Sequence, residues 1–141
     1  MKRGQRVEKE ILSWVKQNFN KDARIMEGYF PEYDIHCPDV GNIEVKEDRM
    51  AHGTGNYAIE KASTEGYPSG ISVTTAEMFC LVDYEYVTFI PTYCLKELVK
   101  GSTLYNMGFG KGTKGWLIPR NLVLNHPAAK VMERWFELWL K

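Results

Sequence analysis

The sequence predicts a mixed α/β or α+β sandwich, and three observations predict it. An amphipathic helix opens the chain, short extended segments bounded by turn residues follow, and helical and extended patterns then alternate to the end. At 141 residues the chain is expected to form a single domain spanning 1–141, long enough to bury a core without disulfide staples.

The opening helix is expected from about Arg3 to Phe19. Val7, Ile11, Leu12 and Val15 recur at helical spacing, Arg6, Glu8, Lys9, Glu10 and Lys16 fill the other faces, and Asn18 to Asp22 supply turn formers. Extended segments follow at Arg24 to Phe30, Tyr33 to His36 and Asn42 to Glu47. The turn Cys37-Pro38-Asp39-Val40-Gly41-Asn42 separates the last two as a tight connection of antiparallel neighbours would. A loop from Arg49 to Gly55 leads to a strand at Tyr57 to Lys61, and Pro68 with two glycines marks Ser63 to Gly70 as a turn region. Thr74-Thr75-Ala76-Glu77 reads as a short capped helix, because a threonine hydroxyl can satisfy orphan amides there.

Met78 to Val82 and Tyr86 to Ile90 read as two strands joined by an Asp83-Tyr84-Glu85 turn, with Pro91-Thr92 ending the second. Tyr93 to Lys100 forms a short helix with Leu95, Leu98 and Val99 inward. Gly101 to Gly115 is expected as a flexible loop and Trp116 to Ile118 as a strand. A last helix is expected from about Pro127 to Leu140, striped by Val131, Trp135, Leu138 and Trp139.

Composition narrows the function classes. With 44% hydrophobic and 26% charged residues the chain is ordinarily globular, so disorder is not indicated. The 18 basic and 18 acidic residues cancel, so a nucleic-acid surface has to be a local patch on a neutral molecule. Cys37, Cys80 and Cys94 are isolated, which argues against a disulfide scaffold and fits a reducing compartment; no zinc-ligand spacing is present. The charged opening lacks a signal-peptide core and no window reaches the ~18 apolar residues of a membrane span. A cytoplasmic location, in a bacterial or phage-infected host cell, and no membrane partner are therefore expected.

Ile43-Glu44-Val45-Lys46 carries the sharpest chemical signal. Side chains alternate along a strand, so Glu44 and Lys46 share one face while Ile43 and Val45 anchor the other. A hairpin would bring Asp34, in Pro31-Glu32-Tyr33-Asp34-Ile35, beside Glu44. Two carboxylates there form a hard oxygen site suited to Mg²⁺, with Mn²⁺ as a substitute. Lys46 would orient or deprotonate an attacking water, or neutralise charge developing on phosphorus. The competing reading is a solvated cross-strand ion pair worth about 0–1 kcal/mol.

Pro31-Glu32-Tyr33-Asp34 followed by Glu44-Val45-Lys46 resembles the PD-(D/E)xK nuclease superfamily, and the α-β-β-β-α-β order extends the likeness loosely from about Glu8 to Ile90. The resemblance implies a restriction-endonuclease-like core, a mixed central β-sheet flanked by helices. It also implies that Asp34 and Glu44 bind the metal with the Val45 carbonyl, and that Lys46 is catalytic. Pro31 does not directly precede Asp34, which departs from the motif. Gly4-Gln5-Arg6-Val7-Glu8 is similar to the first helix of archaeal Holliday-junction resolvases, which implies that Glu8 joins the site; a solvated helix acid is the plainer reading. Gly55-Asn56-Tyr57-Ala58-Ile59-Glu60 resembles small phage-type members, where a second glutamate lies near the site. Glu60 would complete a second metal position or pair with Lys61 or Lys46. Ser69-Gly70-Ile71 and Thr74-Thr75 resemble that group too, as phosphate contacts or as helix caps. His52, between glycine-flanked loop residues, is expected in solvent.

Tyr105 to Trp116, rich in glycine and containing Lys111 and Lys114, with Arg120 after it, is read as a DNA-contacting loop: glycines allow close backbone approach, lysines supply charge and aromatics stack on bases. It is not a nucleotide-binding P-loop, so no nucleotide cofactor is expected. The Trp135, Phe136, Leu138, Trp139 cluster, with Met132, reads as core or as a homodimer face. The expected function is divalent-metal-dependent DNA endonuclease activity, directed by structure, as in junction or phage DNA processing. The rivals are an exonuclease or RNA-directed nuclease of the same fold, and a catalytically inactive nucleic-acid-binding module.

Overall fold

The computed structural model describes residues 3–26, 34–62, 70–72, 74–106 and 114–134. A helix, α1 (Arg3–Asn18), opens the chain and turns Val7, Ile11 and Val15 inward. It ends where Asn18 Nδ2 donates to the Trp14 carbonyl at 2.8 Å and two further amides converge on the Val15 carbonyl. Asn20 Oδ1 then takes the Asp22 N–H, closing the turn that the sequence marks.

Three strands follow: β1 (Arg24–Ile25), β2 (Ile35–Cys37) and β3 (Gly41–Glu47). The expected hairpin is present, with β2 antiparallel to β3 and Ile35 opposite Ile43. Its turn carries Asp39 at φ +74° and Gly41 at φ +107°. Glycine is required at 41 on two counts. A Cβ there would lie 2.6 Å from Glu77 Oε2, which itself accepts the Asn42 N–H at 2.6 Å.

After β3 come a four-residue helix, α2 (Ala51–Thr54), and β4 (Asn56–Ala62), then a 3-10 turn at Gly70–Ser72. The strands β5 (Met78–Val82) and β6 (Tyr86–Pro91) and the helix α3 (Thr92–Lys100) stand where the apolar patterns predict them. Then follow β7 (Leu104–Asn106), β8 (Lys114–Pro119), α4 (Arg120–Leu124) and β9 (Lys130–Glu133).

Six strands form a mixed central sheet in the order β1-β2-β3-β5-β6-β9, in which β3 and β5 are parallel and the other pairs antiparallel. A separate antiparallel sheet has the order β4-β8-β7. One face of the central sheet packs on α1 through Ile35, Cys37, Ile43, Cys80, Val82, Val87 and Phe89. Its other face turns Phe79, Leu81 and Ile90 towards Tyr57, Ile59 and Ile118 of the small sheet, with Leu95 and Val99 of α3. Each fully buried aliphatic side chain contributes about 1.5–3 kcal/mol, so both layers hold the central sheet. The architecture is thus mixed α+β with a mixed central sheet flanked by helices, and no helix among the described residues is long and apolar enough to cross a membrane.

Three local expectations are corrected. Residues 74–77 form no helix: Thr74 Oγ1 accepts the Ala76 N–H in a tight turn, and the Glu77 amide and carbonyl are drawn into the strand-end bonds to Asn42 and Thr92. The segment expected to start a final helix holds β9 instead, because Val131 and Met132 pair with Thr88 and Val87 along the edge of β6. The expected loop at 101–115 contains β7 and the start of β8. Trp135, Phe136, Leu138 and Trp139, and most of the expected strand Arg24–Phe30, lie outside the described residues.

Candidate active site

Asp34 stands one residue beyond the Ile35–Ile43 pair, at the end of β2 beside the middle of β3. Its N–H donates to the Ile43 carbonyl at 2.9 Å and its Oδ2 accepts the Val45 N–H at 2.7 Å. The carboxylate is therefore held against the backbone link between Glu44 and Lys46. Val45 itself turns its side chain to the α1 layer.

Glu44 and Lys46 share the opposite face of β3, as alternation requires. Across the parallel pairing their neighbours on β5 are Phe79 and Leu81, so the charged pair rises from an apolar surface. Glu44 is only 3% exposed. Lys46 Nζ lies 3.0 Å from Glu44 Oε2, and its own side chain is 47% exposed. The second oxygen, Glu44 Oε1, is buried and has no hydrogen-bond partner. Leaving one carboxylate oxygen dry and unpaired is costly, and a cation or bound water at that point would relieve it.

Glu8, from α1, meets Asp34. Burial first, and then its hydrogen bond with Asp34 and that carboxylate's charge, push the Glu8 carboxyl up to about 7. Asp34 and Glu44, on paired strands, are the hard oxygen donors that would suit a divalent cation. Among the described residues no group of three or more His, Cys, Asp or Glu side chains encloses a metal position. Mg²⁺ does not need one: it keeps several waters and takes one or two protein carboxylates with substrate oxygens.

Glu60 approaches from the other sheet. It lines, with Lys46, a cavity of about 90 Å³ whose remaining walls are Ala58, Ile59, Ile71 and Phe79. That volume holds about three waters at roughly 30 Å³ each. The small sheet is docked there by Asp48, whose Oδ2 accepts the Ala58 N–H at 2.9 Å while its own N–H bonds the Val82 carbonyl at 2.7 Å. Nothing in the spacing of Asp48 announced this link, which joins the free edge of β4 to the end of β3.

The remaining candidates separate. Lys114 is exposed at the start of β8, paired in register with Ala62 and Asn106. Lys111 and Ser69 lie outside the described residues. His52 is exposed, with its ring edge-on to Tyr84 at 5.0 Å, while Arg49 Nε donates to the Tyr84 hydroxyl at 2.7 Å.

Arg120, expected on nucleic acid, sits in an ion-pair network with Asp83 and Glu85. It binds both oxygens of the fully buried Asp83, at 3.0 and 3.1 Å, and Glu85 at 3.0 Å, with its guanidinium stacked over the Tyr86 ring. Asp83 also accepts the Tyr57 hydroxyl at 2.6 Å and the amides of Glu85 and Tyr86. Burial alone would raise the Asp83 pKa; the bonds from Arg120, Tyr57 and the two amides outweigh it and hold the carboxyl below its ordinary value. No local motif links residues 37 positions apart, so this network was not legible in the sequence.

Compared with known proteins, the chain matches no family model and no curated relative.

Proposed function

We propose that this chain is a Mg²⁺-dependent nuclease that hydrolyses DNA phosphodiesters on a restriction-endonuclease-like core of the PD-(D/E)xK type. The observation that carries the reading is Glu44 on β3, its Oε2 paired with Lys46 and its Oε1 buried and unpartnered, on the strand whose Val45 N–H fixes Asp34. A structural ion pair accounts for Lys46 and Glu44 Oε2, but not for the second, unpartnered Glu44 oxygen.

Asp34, Glu44 and the Val45 carbonyl would hold the ion, which supplies Lewis-acid polarisation of a phosphoryl oxygen when bound. The chain's own groups do the rest. Lys46 Nζ, half-exposed, extends from Glu44 towards the cavity and orients water or offsets charge on the phosphorus. Glu60 faces the same small volume, where its carboxylate accepts a hydrogen bond from a water held there. The apolar walls at Ile59, Ile71 and Phe79 limit bulk solvent around that water.

The test is cleavage of labelled linear, single-stranded and four-way-junction DNA with Mg²⁺, Mn²⁺ or EDTA, beside a Glu44→Ala control. Metal-dependent cutting that the control loses supports the site, and a covalently closed circle separates endonuclease from exonuclease. A folded wild type that cuts no DNA with either metal rejects the DNA nuclease reading.

A further inference from the structure

Resting on the nuclease reading, we propose that Lys46 passes from Glu44 to Glu60 when a divalent ion takes Glu44. Glu60 is then a positioning residue for Lys46 and not a ligand of the ion. Lys46 Nζ is the counter-ion of Glu44, 3.0 Å from its Oε2. An ion on the unpartnered Oε1 of the same carboxylate would stand beside that ammonium, where little water screens the repulsion of like charges. Only one of the two partners can give way. Glu44 is buried on β3, which is paired on both sides by β2 and β5, whereas Lys46 is half-exposed on a flexible aliphatic stem.

The cavity defines where the ammonium goes. Lys46 lines it together with Glu60, and the other walls, Ala58, Ile59, Ile71 and Phe79, carry no charge. Among the described residues no ion pair holds the Glu60 carboxylate. Ile59, Ile71 and Phe79 are buried, and an acid beside such walls attracts an ammonium more strongly than one in open water. At about 90 Å³ the cavity is smaller than the roughly 150 Å³ that admits a benzene ring, so it takes an ammonium and a few waters but no base. Asp48 fixes the acceptor: its Oδ2 holds the Ala58 N–H at 2.9 Å, two residues before Glu60 on β4. Loading of the ion and orientation of Lys46 on the cavity water thus become one event, and ion affinity depends on Glu60 only through Lys46.

The experiment measures Mn²⁺ uptake by the full chain without DNA, from the electron paramagnetic resonance of the free ion. It compares the wild type, Lys46→Met, Glu60→Gln and the double variant, each checked for folding by circular dichroism. Lys46→Met should bind Mn²⁺ roughly ten-fold more tightly, because the competing ammonium is gone. Glu60→Gln should bind it roughly five-fold more weakly than the wild type, yet leave the affinity of Lys46→Met unchanged. Equal weakening by Glu60→Gln in both backgrounds makes Glu60 a ligand and overturns the hand-over. A Lys46→Met affinity no tighter than the wild type's overturns it too, as does Glu60→Gln with wild-type affinity. Folded proteins that take up no Mn²⁺ also overturn it, and metal-dependent DNA cleavage by the wild type, run in parallel, shows whether the nuclease reading stands without it.

Discussion

Asp34 Oδ2 accepts the Val45 N–H at 2.7 Å, which fixes the aspartate of one strand against the backbone between Glu44 and Lys46 of the next. The bond ties the position of a carboxylate to the peptide whose carbonyl is a proposed ligand. It also makes the geometry of the site a property of the β2–β3 register. Slipping that hairpin by one residue would send Glu44 and Lys46 into the α1 layer.

Substitution at the centre should separate chemistry from folding. Glu44→Gln keeps the shape of a buried side chain, and Lys46→Ala truncates a half-exposed one. Both variants are expected to remain folded by circular dichroism. Metal-dependent cleavage should fall by about 10²–10⁴-fold in each, and Lys46→Ala should still bind DNA in a gel-shift assay. Loss of folding together with binding would make Lys46 a structural residue.

The Glu8–Asp34 contact predicts a pH dependence of stability. Glu8 titrates near 7 in the folded chain against 4.5 unfolded. The folded state thus holds its proton more tightly. The stabilisation is fully present below pH 4.5 and is lost as pH rises through 7. In EDTA, the melting temperature of the wild type should fall across this window more steeply than that of Glu8→Gln. Parallel curves for the two proteins would remove Glu8 from the pair.

Arg120 should prove a stability residue. Removing it strands Asp83, whose side chain is fully buried, without its charge partner. Arg120→Ala is expected to lose about 3–5 kcal/mol of stability, measured by urea unfolding. An unfolding free energy equal to the wild type's, with weakened DNA binding, would return Arg120 to the nucleic-acid surface.

Gly41→Ala should destabilise by more than about 1 kcal/mol, since φ is +107° and the new methyl would meet the Glu77 carboxylate. Amide exchange would show the cause: the Asn42 N–H, bonded to Glu77 Oε2, should lose protection. Unchanged exchange at Asn42 would break the link between this glycine and the hairpin.

Much of the architecture was legible from local pattern. The stripe of Val7, Ile11 and Val15 marked α1, the turn at 38–41 marked the β2–β3 hairpin, and the apolar runs marked β5 and β6, because periodicity reports which face is buried. Strand alternation alone placed Glu44 and Lys46 on one face. Tertiary structure decided what local pattern does not encode. Val131 and Met132 became a strand because the edge of β6 offered them hydrogen-bond partners. Lys46 and Glu60 share a cavity because Asp48 docks one sheet on the other. Arg120 was claimed by a buried aspartate 37 residues away, since an unpaired charge in the core costs more than a solvated arginine gains at the surface. Residue types and spacing along one strand determined the chemistry on offer; the pairing of distant segments decided which of those groups meet.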